Sequence, residues 1–120
     1  MATKTTIFEQ RQSAGTACFL IVNPDAAEEA TDATIGLGTD LSDAVGGTQS
    51  VSITKIHWSG AVTITSGGIS IPLTGNGAWV QFNGWTPVEC DADIVVSGVG
   101  TVFLEIKKRA GFTERDDYSN

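Results

Sequence analysis

Residues 50–85 read SVSITKIHWSGAVTITSGGISIPLTGNGAWVQFNGW, and this stretch decides the fold class. Short runs of apolar and β-branched residues alternate with glycine-rich sequences, and the stretch contains all 3 tryptophans of the chain. Such runs, punctuated by glycine, indicate β-strands joined by tight turns. The stretch therefore predicts an all-β, antiparallel domain. It contains no catalytic or phosphate-binding motif.

The strand predicted over residues 51–58 changes its apolar face midway. Val51 and Ile53 share one face, whereas Ile56 and Trp58 share the other. A β-bulge produces such a switch, and so does the passage of a strand from one sheet to another. Both explanations remain open from the sequence.

Glycine and proline place the turns and one sheet edge. Pro72 cannot donate a hydrogen bond to a neighbouring strand, so the strand over residues 69–73 is predicted to be an edge strand or bulged. Turn-like sequences occur at residues 58–60, 65–68, 74–77, 83–84 and 97–100.

Further strands lie on both sides of this stretch. Residues 16–22 form a continuous apolar run, which is typical of a strand covered on both faces. Residues 101–108 alternate apolar and polar side chains, as in a half-buried strand. Between them, Asp25 and Glu28 could cap a short helix over Ala26–Ala30. Roughly seven or eight short strands with tight turns predict an antiparallel β-sandwich or jelly roll.

The 120 residues suggest one domain with two extended arms. Ile7 and Phe8 in the first arm, and Phe112 and Tyr118 in the last, are apolar or aromatic residues in polar surroundings. They favour arms that dock on a neighbouring subunit, although frayed termini are the common alternative. The predicted divisions are an N-terminal arm at 1–15, a β-sandwich domain at 16–109 and a C-terminal tail at 110–120.

Residues 31–49 form a long excursion rich in glycine and acidic residues, with isolated apolar positions. Loops of this length in a compact domain are often functional or mobile. We therefore expect this segment to be a variable surface region.

The formal charge of −7 restricts the possible partners. An acidic surface repels phosphate backbones and anionic membranes, so neither nucleic acid nor a membrane is an expected partner. No basic residue lies between Arg11 and Lys55, whereas Lys107, Lys108 and Arg109 form a basic cluster. This segregation could steer contacts with a partner, or the cluster could be a solvated strand end.

The chain offers few groups for catalysis or metal binding. The chain has 1 histidine, His57, and no nucleophile motif accompanies it. Together with Cys18 and Cys90 it makes too small a ligand set for zinc. Both cysteines lie beside apolar residues and are predicted to be buried thiols, with a single disulfide as the alternative. The opening residues MATKTTIFEQRQ lack the apolar core of a signal peptide, which suggests synthesis in a reducing cytoplasm.

Two pairs of carboxylates, Asp40 with Asp43 and Asp91 with Asp93, could in principle bind calcium. Their spacing matches no known calcium loop, and solvated loop acids are the simpler interpretation. We expect no enzyme activity, cofactor or metal.

The tryptophans are the best candidates for a binding surface. Trp58, Trp79 and Trp85 could fill the core, form a subunit interface or stack on sugar rings. Truncation of a tryptophan that lies in the core would cost roughly 3–5 kcal/mol.

Three segments carry a resemblance to a known class of protein. They are KIHWSGAVTITSGG at residues 55–68, ISIPLTGNGAWVQF at 69–82 and VSGVGTVFLEIKK at 96–108. With the polar arms, they resemble small virion structural proteins of tailed phages, in particular capsid decoration (cement) proteins. The resemblance covers residues 50–108.

The resemblance implies a non-enzymatic β-sandwich, often a homotrimer, that binds the major capsid protein and stabilises the head shell. The protein would be made in the host cytoplasm and reside on the capsid surface of the virion. The alternative is a carbohydrate-binding or adhesion module of a phage tail or fibre that uses Trp79 and Trp85. The residues expected to make contacts are Ile7, Phe8, Trp79, Trp85, Phe112 and Tyr118.

Overall fold

The structure, a computed structural model, confirms that the chain is all-β and antiparallel. It describes residues 2–10, 14–23, 32–42, 44–45, 47–80 and 87–112. The strands are β1 (Thr3–Glu9), β2 (Thr16–Asn23), β3 (Ala33–Ile35), β4 (Ser50–Ser66), β5 (Ile69–Leu73), β6 (Asn76–Val80), β7 (Val88–Cys90) and β8 (Ile94–Ala110). In this part of the chain no helix is long and apolar enough to cross a membrane.

Strands β4 and β8 form the centre of a single sheet. Each is 17 residues long, and they pair antiparallel from Ser50 with Ala110 to Thr65 with Val95. The other side of β8 pairs with β2 and β3, and the other side of β4 pairs with β5, β6 and β7. Strand β1 pairs with β2 and ends the sheet on that side.

The turn predicted at residues 97–100 is wrong, because these residues lie inside β8. Likewise, β4 continues through the turn-like sequence at residues 58–60. Gly60, Gly98 and Gly100 have φ angles of 116°, 93° and 153°, and Gly60 lies opposite Gly100. A Cβ atom on Gly98 would lie 2.3 Å from the Ala61 carbonyl oxygen. The glycines therefore allow two paired backbones to approach closely within continuous strands.

A β-bulge accounts for the change of face in β4, which confirms one of the two predicted explanations. Ile53 pairs with Ile106 and Lys55 with Glu105, so Thr54 has no partner in the register. The Thr54 hydroxyl donates to the Glu105 carbonyl oxygen at 3.1 Å. The extra residue turns Ile53 and later Ile56 towards the same side, where both are fully buried.

The hairpin at 65–68 is confirmed, since β4 ends at Ser66 and β5 begins at Ile69. The turn predicted at 74–77 is shorter than expected: only Thr74 and Gly75, which has a φ of 74°, lie between β5 and β6. Strand β5, which contains Pro72, ends the sheet opposite β1, as its missing N–H predicts. The predicted turn at 83–84 lies outside the described residues.

The segment over residues 31–49, expected to be a surface region, contributes to the core. Its β3 strand pairs with the start of β8, and a turn follows at residues 37–40. Ile35, Leu37 and Leu41 are buried in the main apolar cluster, whereas Val45 is exposed. The three buried residues therefore attach the segment to the core. The helix predicted over Ala26–Ala30 lies outside the described residues.

The described residues of the predicted arms lie against the sheet. Residues 3–9 of the N-terminal arm are strand β1, which pairs with β2 at every residue except Ile7. The tail is described as far as Phe112, which forms a β-bridge with Ala44.

Replacement of Gly98 by alanine should destabilise the fold by more than about 2 kcal/mol, because it combines a strained φ angle with a backbone clash. Gly75 also has a positive φ, but a Cβ there would meet nothing within 4 Å. Gly75→Ala should therefore cost only about 1 kcal/mol. Gly68→Ala, with neither problem, is the control. Urea unfolding measures all three, and equal losses at Gly98 and Gly75 would show that close backbone approach is unimportant.

Candidate interaction surface

The side of the sheet opposite the core carries a partly apolar surface. Because side chains alternate along a strand, Leu20 and Phe103 point away from the fully buried residues beside them in β2 and β8. The register places Leu20 opposite Phe103, and Phe103 opposite His57 of β4. Phe8, opposite Cys18, and Val22 lie on the same side. We call these five residues (Phe8, Leu20, Val22, His57 and Phe103) the outer face.

No described residue covers the outer face fully. Phe8 is 51% exposed and Val22 is 39% exposed, while Leu20 and Phe103 are half-buried. Ile7 is also exposed, at 54%, because a bulge between Thr6 and Phe8 removes it from the register with β2. Large apolar side chains that remain exposed in adjacent positions are typical of contact surfaces.

An open groove of about 220 Å³ lies on this side of the sheet, between β4 and β8. It is lined by His57, Trp58, Ser59, Thr101 and Phe103. The His57 and Phe103 rings pack edge to face, with centroids 6.0 Å apart and planes at 69°. The groove therefore combines aromatic surface with hydroxyl and imidazole groups.

Two of the tryptophans join β6 to β4. Trp58 and Trp79 pack edge to face, with centroids 6.1 Å apart, and both lie against the core. The Trp58 indole N–H donates to the Thr74 carbonyl oxygen at 3.0 Å. Gly77 leaves room for this ring, since a Cβ there would lie 2.5 Å from it. Trp79 is half-buried, and Trp85 lies outside the described residues.

The predicted basic cluster is divided by the sheet. Lys107 and Arg109 are exposed, but Lys108 faces the core and is only 1% exposed. The pleat explains this difference, because alternate residues of β8 point to opposite sides. The interpretation of residues 107–109 as one surface cluster is therefore wrong for Lys108.

Lys108 forms a buried ion pair with Glu9 of β1. Its Nζ atom lies 2.8 Å from Glu9 Oε2 and donates to the carbonyl oxygens of Gln10 and Ser42 at 3.0 and 3.3 Å. The Ser42 backbone N–H donates to Glu9 Oε2 at 2.6 Å. The network connects the first strand, the last strand and the segment over residues 31–49. No local sequence signal indicates it, because the partners are far apart in the chain.

The Phe112 ring packs against the Lys108 ammonium group. The ring centroid lies 5.3 Å from Lys108 Nζ, and the residue is 7% exposed. This distance is within the range of a cation–π interaction. The structure thus gives Phe112 a role within this chain, and its predicted role in a partner contact stays a prediction. Tyr118 lies outside the described residues.

Two of the acids considered for calcium have partners in the same chain. Asp40 Oδ2 lies 2.6 Å from Lys4 Nζ and accepts from the Gly36 N–H at 2.7 Å. Asp93 Oδ1 accepts from the Leu37 N–H at 3.0 Å. Asp43 is not described, and among the described residues no group of three or more His, Cys, Asp or Glu could hold a metal ion. The two carboxylates have structural roles in the turn after β3.

Both cysteines are free and buried, as predicted. Burial raises the pKa of the Cys18 thiol, and the charge of Glu105 adds to this effect. Burial likewise raises the pKa of Cys90. Thiols of this kind are unreactive structural residues.

Comparison of the chain with protein-family models and with curated proteins finds no match.

Replacement of Lys108 by methionine should destabilise the fold by roughly 3–5 kcal/mol, because it leaves the Glu9 carboxylate buried without its cation. Lys107→Met, at the exposed neighbour, should change stability by less than about 0.5 kcal/mol. The double variant Glu9→Gln with Lys108→Met should lose less than the sum of the single variants. Additive losses in urea unfolding would show that the two groups do not interact.

The Glu9 carboxylate should also make the free energy of unfolding depend on pH in the acid range. Burial alone would raise the pKa of Glu9, but hydrogen bonds from Lys108 and Ser42, with the Lys108 charge, hold it below its usual 4.5. Ionised Glu9 therefore stabilises the fold above about pH 4.5, and this contribution is lost as the pH falls through the lowered value. The difference in unfolding free energy between wild type and Glu9→Gln should shrink between about pH 7 and pH 3. A constant difference would contradict the assignment.

Proposed function

We propose that this chain is a non-enzymatic structural protein that binds an assembled phage capsid shell and stabilises it. The single observation that carries the proposal is the outer face, where Phe8 and Val22 remain exposed beside Leu20 and Phe103. The resemblance of residues 50–108 to decoration proteins supplies the class of partner, the major capsid protein. The site of action would be the capsid surface of the virion.

The physical basis of such a role is the thermodynamic linkage between binding and shell assembly. A protein that binds the assembled shell and not its separate subunits stabilises the assembly by mass action. Exposed aromatic side chains supply most of the binding free energy in many interfaces, while charged residues at the rim contribute less. On the outer face, Phe8 and Phe103 lie near Leu20 and Val22, and the charged Glu105 and Lys55 flank them on the same side of the sheet.

We also propose that the sheet folds over into the two layers of a sandwich or jelly roll. Buried residues on both sides of the glycines, such as Phe19 of β2 and Ile64 of β4, belong to one apolar cluster. In this arrangement the glycines of β4 and β8 lie where one layer continues into the other. The outer face would then be the outside of one layer.

A carbohydrate-binding or adhesion module is the second candidate. The groove beside Trp58 favours it, because His57, Phe103 and two hydroxyl residues line the groove. Aromatic rings with nearby polar groups suit the apolar face and hydroxyls of a sugar. In this candidate the groove, and not Trp79, would contact the ligand. A change in tryptophan fluorescence upon addition of oligosaccharides, lost in Phe103→Ser, would support it.

The shell proposal is tested by co-sedimentation with empty head shells, assembled from the major capsid protein of the same genome. Val22→Lys places a charge on the outer face and should weaken binding at least tenfold, or about 1.4 kcal/mol. Val45→Lys is the matched control, since Val45 is 43% exposed at a different site, and it should bind like wild type. Thermal unfolding verifies that both variants are folded.

Two results would contradict the shell proposal. One is the absence of wild-type protein from sedimented shells. The other is equal binding by wild type and Val22→Lys, which would exclude the outer face as the contact.

A further inference from the structure

Strand β1 leaves one long backbone edge unpaired among the described residues. It contains 7 residues, pairs only with β2 and lies at the end of the sheet. Five of its side chains, Thr3, Thr5, Thr6, Ile7 and Phe8, are exposed. An exposed edge strand presents free N–H and C=O groups that can pair with another strand.

The other described edges are less suited to pairing. Strand β5 has 5 residues and is interrupted by Pro72, which cannot donate. Strand β6 also has 5 residues, and β3 and β7 have 3 each. Natural proteins protect edges with short strands, proline and charged side chains. β1 lacks such protection over residues 5–8, apart from the bulge at Ile7.

The charges of β1 allow two copies to meet there. Copies with a net charge of −7 repel one another over most of their surface. In β1, however, Lys4 is neutralised by Asp40 at 2.6 Å and Glu9 by Lys108 at 2.8 Å. The residues between them are uncharged. In an antiparallel pair, the Lys4 end of one strand would lie beside the Glu9 end of the other, and both charges are already paired within their own chains.

We propose that two copies of this chain associate by antiparallel pairing of their β1 strands about a two-fold axis near Thr6. The pairing extends each sheet into the other and places the two outer faces side by side. In a two-fold contact the β1 edge of one copy pairs with the β1 edge of the other. The short edges at β5 and β6 therefore take no part in the dimer. The inference goes beyond the shell-binding proposal and predicts dimers, whereas the resemblance implies trimers.

Light scattering after size exclusion provides the first test. Wild type should have twice the chain mass of 12.5 kDa. Ile7→Lys should reduce the mass to that of one chain, because it places two lysines near the two-fold axis. Ser70→Lys makes the same change of charge on exposed β5 and should leave the dimer intact. Circular dichroism confirms that each variant is folded.

Disulfide trapping provides a second test that does not depend on a destabilising variant. Opposed residues in antiparallel strands have Cα atoms about 4.5–5.5 Å apart, which is within the span of a disulfide. Under mild oxidation, Thr6→Cys should give a linked dimer on a non-reducing gel, because Thr6 lies opposite its own copy, and Ser70→Cys should not. Native Cys18 and Cys90 are buried and should not contribute.

Three results would overturn the inference. They are a wild-type monomer without trapping at Thr6→Cys, a trimer, and a dimer that persists in Ile7→Lys. Shell binding is read separately through Val22→Lys. The two-fold pairing can therefore fail while the shell proposal stands, and the reverse also holds.

Discussion

The antiparallel pairing of β4 and β8 is the constraint on which the rest of the structure depends. Every other strand except β1 pairs directly with one of these two, and β1 pairs with β2. The two backbones stay paired through Gly60 and Gly100 because no Cβ atom separates them. Asn23 adds a tertiary contact at this place, where its amide donates to the Gly98 carbonyl oxygen at 2.7 Å. The core side of both strands consequently remains continuous.

The buried ion pair of Lys108 and Glu9 joins the two ends of the described chain. A buried charge is costly unless it is paired and hydrogen-bonded, and Lys108 has a carboxylate and two carbonyl acceptors. Because Glu9 is the last residue of β1, this contact holds β1 against the core. The ion pair thus positions the strand that carries Ile7 and Phe8. The same contact that stabilises the core therefore also fixes the position of these two exposed side chains.

The surface has two distinct features, the outer face and the β1 edge. The outer face offers side chains, and the edge offers backbone donors and acceptors. In the proposed arrangement the two do not compete, because strand pairing occurs in the plane of the sheet and the outer face is perpendicular to it. Phe8 lies where the two features meet. A dimer would therefore double the apolar surface available to a shell, which raises avidity without a new type of contact.

The sequence alone determined the all-β class and the burial of both cysteines, and it gave the bulge in β4 and the edge position of Pro72 each as one of two explanations. These features follow from local alternation, turn residues and a missing N–H. Only the tertiary structure decided that residues 97–100 continue strand β8, that Lys108 is buried and that Phe112 covers it. Glycine permits a turn and a close backbone approach equally, and lysine can face either side of a strand. In each case the outcome depends on a partner distant in sequence, which local chemistry does not specify.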